Sequence, residues 1–365
     1  MSISENALLD REATLKRLIG GTLVFLAIAV VGLFIVKWWP YWHKAFVAAA
    51  TRTIGASIVS GKSVQPQAVG IAAAWSYTLA YFKSVWEAVV LALVLGASIQ
   101  VLVPRKWLLG LIGGNGYRST AIAGAASMAG MMCTCCTAPI VVGMRRQRVG
   151  IGGAMAFFLG NPVLNPATVV FIGLVLGWPF AIVRIVFGLA LVFVVAWLAS
   201  RVVSRDAAAN DPKYVVPLAA IDDPKRTAAG IAASWLKELW VEIYTLLPGY
   251  IAIVFVLGGL RAWLFPPGLT IHASGLGAIA LLSAIGTLFV IPTAGEIPIT
   301  QTLLHAGMGV GPATALLMTL PAISAPSLFI VRKVFPPRAL IVAVGGIFIV
   351  GILAGVGAML MMHAA

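Results

Sequence analysis

Residues 130–166 read GMMCTCCTAPIVVGMRRQRVGIGGAMAFFLGNPVLNP, and the fold turns on how this stretch is interpreted. It holds all three cysteines of the chain, Cys133, Cys135 and Cys136, and two Asn-Pro steps, Asn161-Pro162 and Asn165-Pro166. A run this apolar reads as membrane helix. Proline and asparagine at that depth free backbone groups that then need partners, and such breaks mark a cavity or an ion path. The stretch therefore predicts a broken-helix site at the midplane of a transporter, with soft sulfur ligands in it.

The rest of the chain agrees with a membrane setting. Of 365 residues, 61% are hydrophobic and 10% charged, and the mean hydropathy is +1.02. Continuous apolar runs, rather than short alternating ones, predict an all-α polytopic protein and not a β-barrel. The formal charge of +14 sits in short clusters between apolar runs, such as Arg145-Arg146-Gln147-Arg148. That placement reads as topology signals facing a lipid bilayer, not as a nucleic-acid surface. Three cysteines within one tetrapeptide make no disulfide framework, so they read as free thiols or ligands.

In chain order, a polar N-terminus leads to a span at Leu18–Val36, too long for a signal peptide. Lys37-Trp38-Trp39-Pro40-Tyr41-Trp42 follows as an interfacial anchor, and residues 72–82 suggest a helix lying at the interface. Further spans are expected at about Val85–Val103, Ile122–Met144, Ile151–Trp178, Ala181–Ser200, Val241–Leu260, Gly275–Ile291, Pro312–Val331 and Ala339–Met362, nine in all, of which the broken ones are open to a re-entrant path. Residues 201–235 form the one long hydrophilic linker. The expected organisation is an N-terminal helix and interfacial segment (1–69), a first membrane repeat (70–200), the linker (201–235) and a second repeat (236–365).

The repeats align at a gapless offset of 159: Pro139 with Pro298, Gly150 with Gly309, Gly152 with Gly311 and Pro162 with Pro321. Thr134 then aligns with Thr293, Thr137 with Glu296, and Asn165 with Ser324. Paired Pro-interrupted segments point to a transporter binding site. Four spans in each half would make the halves parallel.

Thiolates suit soft metals and thiophilic metalloids, so Cys133, Cys135 and Cys136 are possible soft-metal ligands. In a regular helix Cys133 and Cys136 would share a face, while Cys135 points about 100° away from Cys136; a loop at Pro139 would gather more of the sulfurs. Thr134, Asn161 and Asn165 are expected to line the cavity, with Thr293, Gln301, Ser324 and Ser327 opposite. Breaks are expected at Pro139, Pro162, Pro166, Pro292, Pro298, Pro321 and Pro326. An intramembrane carboxylate is a functional-site candidate by default, which makes Glu296 a proton-coupling candidate, followed by Glu87 and Glu242. No HExxH, GxSxG or Walker sequence is present, so no enzyme and no cofactor are expected.

CTCCTAPIVVGMRR, GNPVLNP, IPTAGEIP and LPAISAPS together resemble the predicted permease family that includes ArsP-type organoarsenical efflux permeases and YraQ-like permeases. The resemblance spans roughly residues 80–360. It implies a multi-pass permease of the bacterial inner membrane. For the ArsP branch it implies efflux of trivalent organoarsenicals, with Cys133 and Cys135 as the motif pair. Cys136 is an additional thiol, and residues 1–69 have no counterpart in the pattern. The expected partners are the bilayer and a small solute or ion, with a homo-oligomer possible. A soft metal ion, a sulfur or selenium oxyanion, and a non-transporting scaffold role are the alternatives.

Overall fold

In lipid no water is at hand for backbone N–H and C=O groups, so an apolar chain satisfies them within helices. The computed structural model describes residues 19–58, 69–114, 116–204, 227–265 and 274–363, and these fold as helices joined by short turns. They are α1 (Ile19–Thr51), α2 (Ile71–Val101), α3 (Arg105–Ile112), α4 (Tyr117–Ser127), α5 (Thr134–Arg146), α6 (Ile151–Val163), α7 (Pro166–Val175) and α8 (Trp178–Val203). After the linker come α9 (Ala228–Leu264), α10 (Gly275–Leu288), α11 (Glu296–His305), α12 (Val310–Thr319), α13 (Ala325–Val331) and α14 (Pro337–His363). Six stretches are long and apolar enough to cross a membrane: α1, α2, α6 with α7, α8, α9 and α14. The protein is an all-helical, multi-pass membrane protein.

Helix directions follow from side-chain contacts. Tyr81 and Tyr250 meet hydroxyl to hydroxyl at 2.8 Å, and Trp235 donates to Ser98 at 2.9 Å. Gly258 lies so near Tyr77 that a Cβ would stand 2.9 Å from it. As the α2 number rises the α9 number falls, so α2 and α9 are antiparallel. This overturns the expected parallel halves, in which these two helices would run the same way. By the same test α1 is antiparallel to α2, because Gly21 abuts Leu102 and Gly32 abuts Leu91.

Two helical hairpins run part-way across the molecule and turn back. α4 runs alongside α6 in the same direction, with Ser119 against Gly153 and Ser127 against Gly160. α5 returns to the starting face, where the Gln147 amide donates to the carbonyls of Ile99, Gln100 and Val103 at the end of α2. In the second half, α10 runs alongside α12, with Ile279 against Gly311 and Thr319 against Gly286. α11 returns to the opposite face, where Gln301 donates to the Arg52 carbonyl at the end of α1. The expected segments Ile122–Met144 and Gly275–Ile291 thus take the re-entrant path. The starts of α6, α7 and α8 (151, 166, 178) and of α12, α13 and α14 (310, 325, 337) each differ by 159.

Two expectations near the N-terminus change. The aromatic stretch 37–42 does not end a span. The chain passes through one π-turn, Phe34–Trp38, and continues as helix to Thr51. Residues 72–82 do not lie at the interface but open the 31-residue α2, burying Ala73, Ala74, Tyr77, Thr78 and Tyr81. Their small and aromatic side chains form the seam with α9, where small residues let the helix backbones approach. The linker is shorter than expected at both ends, since α8 reaches Val203 and α9 starts at Ala228. Its centre, the polar N-terminus and residues 59–68 lie outside the described residues.

Candidate functional site at the hairpin tips

Four chain breaks meet in the middle of the molecule. The tips are residues 128–133 and 289–295, and the breaks in the crossing helices are 164–165 and 320–324. Each has a local cause. Pro166 opens α7, where its missing N–H costs nothing, and the Asn165 side chain accepts from Ala167 N (3.0 Å) and Thr168 N (3.3 Å). Ser324 and Ser327 form a reciprocal cap on α13. Both tips bend through a non-glycine residue in the left-handed region, Met131 (φ 49°) and Ala294 (φ 65°). Such conformations persist only where the surroundings enforce them.

A cavity of about 10 Å³, room for about one water, lies between these breaks. Cys133 and Thr134 line it from the first tip, Pro162 from α6, Thr293 and Glu296 from the second tip, and Pro321 and Ser324 from the last break. Cys133 caps α5, and its Sγ lies 3.0 Å from that of Cys136. Both thiols are free and buried. One helical turn separates them, so the regular helix, not a sulfur-gathering loop at Pro139, sets their arrangement. Cys135 points elsewhere, 3.3 Å from Ser324 Oγ. Among the described residues, no group of three His, Cys, Asp or Glu side chains is placed to hold a metal ion.

Two buried cations flank the cavity. Arg184, from α8, donates to the carbonyls of Val163 (2.8 Å), Pro162 (2.9 Å) and Leu317, and its Nη2 lies 3.5 Å from Glu296 Oε1. One guanidinium thus ties the broken α6, the end of α12 and the second tip together. Neither Glu296 oxygen accepts a hydrogen bond among the described residues. On the other side Lys37, 5% exposed, reaches Thr293 Oγ1 at 3.3 Å and Tyr41 OH at 3.5 Å. The adjoining Trp38 indole donates to Ala129 O of the first tip at 2.9 Å. Beyond Lys37 a vestibule of about 270 Å³ opens between α1, α2 and the second tip, and Pro292, Thr293 and Ala294 line both spaces.

The remaining expected residues divide. Ser327 hydrogen-bonds Ser324 and so belongs to the wall of the site. Asn161 and Asn165 do not line the cavity. Asn161 bonds the Phe157 carbonyl of its own helix and Asn165 caps α7, though Asn161 Oδ1 and Asn165 Nδ2 stay without a partner among the described residues. Gln301 lies midway along α11, away from the cavity and tied to the Arg52 carbonyl. Glu87 and Glu242 sit within α2 and α9. Glu87 lines the vestibule, whereas Glu242 is buried at the opposite face and accepts from Gln100 at 2.6 Å. Lys37 escaped the sequence reading, because a lysine beside tryptophans at the end of an apolar run has the pattern of an interfacial anchor. Its one distinguishing signal is the apolar and aromatic sequence that continues past it to residue 50.

Comparison with known proteins adds a family. A family profile described as "predicted permease" matches residues 117–359. The UPF0718 protein YraQ of Escherichia coli is 47% identical over 339 residues, 90% of this chain and 93% of that protein. The UPF0718 protein MJ0584 of Methanocaldococcus jannaschii is 23% identical over 306 residues, 68% of this chain and 84% of that one. Coverage of 90% requires part of residues 1–69, so that region does have a counterpart. No solved structure matches.

Proposed function

From the premise that this chain belongs to the predicted permease family, we propose that it is a secondary-transporter-like permease moving a small thiophilic solute, a trivalent metalloid compound, across the bacterial inner membrane. The observation carrying this reading is the free Cys133–Cys136 pair, 3.0 Å apart, of which Cys133 lines the cavity where both hairpin tips meet. Two adjacent thiols can replace two hydroxyl ligands of a trivalent metalloid, each thiol proton leaving with a hydroxyl as water, while Cys135 stands apart beside Ser324. Residues 70–200 and 236–365 act as two inverted pseudo-repeats that rock about this point, in keeping with the antiparallel α2 and α9. Glu296 carries the coupling proton: it is the carboxylate lining the cavity, and Arg184 is its partner.

Flux of methylarsenite into vesicles holding the purified protein tests this. Cys133→Ser and Cys136→Ser are each expected to remove most of it, and Cys135→Ser less. Unchanged flux in the triple serine variant would sink the thiol role. A second reading, a sulfur or selenium oxyanion, is favoured by Lys37, by Arg184 and by the N-termini of α5 and α11, whose dipoles favour negative charge at the cavity. Thiosulfate flux in the same vesicles decides between the two. Flux of neither solute would favour the scaffold role.

A further inference from the structure

Helix α1 is peripheral. Of its 33 residues only two are buried, Ala48 and Lys37. A helix that shows its apolar side chains to lipid would turn a mid-length lysine toward headgroups or water. Lys37 instead points inward, at the one π-turn in α1, and π-turns recur at functional positions. No carboxylate lies within ion-pair distance of it among the described residues. Its partners are two hydroxyls at 3.3 and 3.5 Å. A buried ammonium with no carboxylate beside it, held by two hydroxyls and the Tyr41 ring at 5.3 Å and with the Cys133 and Cys136 thiols among its electrostatic neighbours, is costly and leaves a place for an anion.

The vestibule meets that need. It extends from Ile54 and Ala56, at one end of α1, to Thr293 beside the cysteine cavity. Lys37 and Lys44 face Glu87 across it, a local excess of one positive charge, and Tyr41, Ser84 and Thr293 add hydroxyl donors. Cations and hydroxyls together suit a solute with several acceptor oxygens and negative charge. We infer that this vestibule is an oxyanion-binding site in which Lys37 is the specificity-determining residue, which deepens the second, oxyanion reading of the hairpin tips and not the thiophilic one. The inference rests on the proposed function only for what lies beyond Thr293; binding in the vestibule is measured without transport.

The probe is sodium sulfate, titrated calorimetrically into the full chain in phosphatidylcholine nanodiscs, with sodium chloride for comparison. Sulfate is expected to bind wild type more tightly than chloride. Lys37→Met should weaken it about tenfold, and Lys37→Arg should restore affinity to within about threefold. Glu87→Gln removes a like charge from an exposed position and should tighten sulfate about threefold, which keeps the test intact if Lys37→Met does not fold. Absence of sulfate binding to wild type, equal affinity for chloride, or Lys37→Met or Glu87→Gln indistinguishable from wild type would each overturn the assignment. Failure of the thiol reading appears separately, as unchanged methylarsenite flux in the triple serine variant.

Discussion

Replacing Arg184 by methionine isolates what one buried guanidinium does. Arg184 and Glu296 are 0% and 1% exposed at their side chains, with 3.5 Å between the charged atoms. Methionine fills much of the same volume but removes the charge and every donor. Leaving one member of a buried pair alone costs about 3–5 kcal/mol. The carbonyls of Pro162, Val163 and Leu317 also lose a charged donor, at roughly 1–3 kcal/mol for each left unsatisfied. Since α6 and α12 end at breaks, their carbonyls relax more easily than those within a helix, so about 5 kcal/mol overall is the expected loss. Glu296→Gln keeps the shape but leaves the guanidinium without its counter-charge; since Arg184 keeps its three carbonyl acceptors, the loss is expected at the low end of the buried-pair range, about 3 kcal/mol. The decisive measurement is a double-mutant cycle, with denaturant unfolding of the detergent-solubilised protein as the readout. The double variant should be more stable than the sum of the single effects predicts, by about 1–3 kcal/mol. Additivity within about 0.5 kcal/mol would refute the pair. A small loss in Arg184→Met alone would refute the clamp on the two broken helices.

Three other perturbations probe the frame around the site. Gly96→Ala would place a Cβ 2.7 and 2.9 Å from the Glu242 oxygens and 3.0 Å from the Pro139 carbonyl, so a drop of about 1–3 kcal/mol is expected on thermal unfolding. Asn165→Ala removes the cap of α7 and should cost about 1 kcal/mol by the same method. Tyr81→Phe leaves the Tyr250 hydroxyl without its 2.8 Å partner at the α2–α9 seam; about 1 kcal/mol should be lost in denaturant unfolding, and a wild-type midpoint would mean that the pair adds nothing.

The sequence makes the membrane class and the broken segments legible because proline and asparagine in apolar runs have few other uses, but not each break: Pro139 and Pro162 sit inside α5 and α6, and Pro298 lies in the first turn of an uninterrupted α11. It also places Cys133, Thr134, Thr293, Glu296 and Ser324 in paired segments, and these side chains do meet. Helix direction is not legible in the same way. Ile122–Met144 has the length of a span, and nothing in its composition says that the chain turns back near Met131, where a left-handed residue sits among alanines and methionines. Once that turn is missed, an even number of spans makes the halves look parallel. The fates of Asn161 and Asn165 were equally closed to sequence, since a cap on its own helix and a cavity wall call for the same residue.

The Lys37–Thr293 contact joins residues 256 positions apart, and this bears on how the protein is made. α1 leaves the ribosome before the second half, whereas the hydroxyl that receives its lysine is synthesised only after that half has begun to insert. Throughout that interval the ammonium has to stay hydrated. A helix of 33 residues is about 50 Å long against a hydrocarbon core of about 30 Å, so α1 has room to slide along its axis and keep Lys37 near a headgroup layer until the second hairpin arrives. The length of α1, surplus to the needs of a simple span, leaves its final seating free to follow the arrival of the second hairpin.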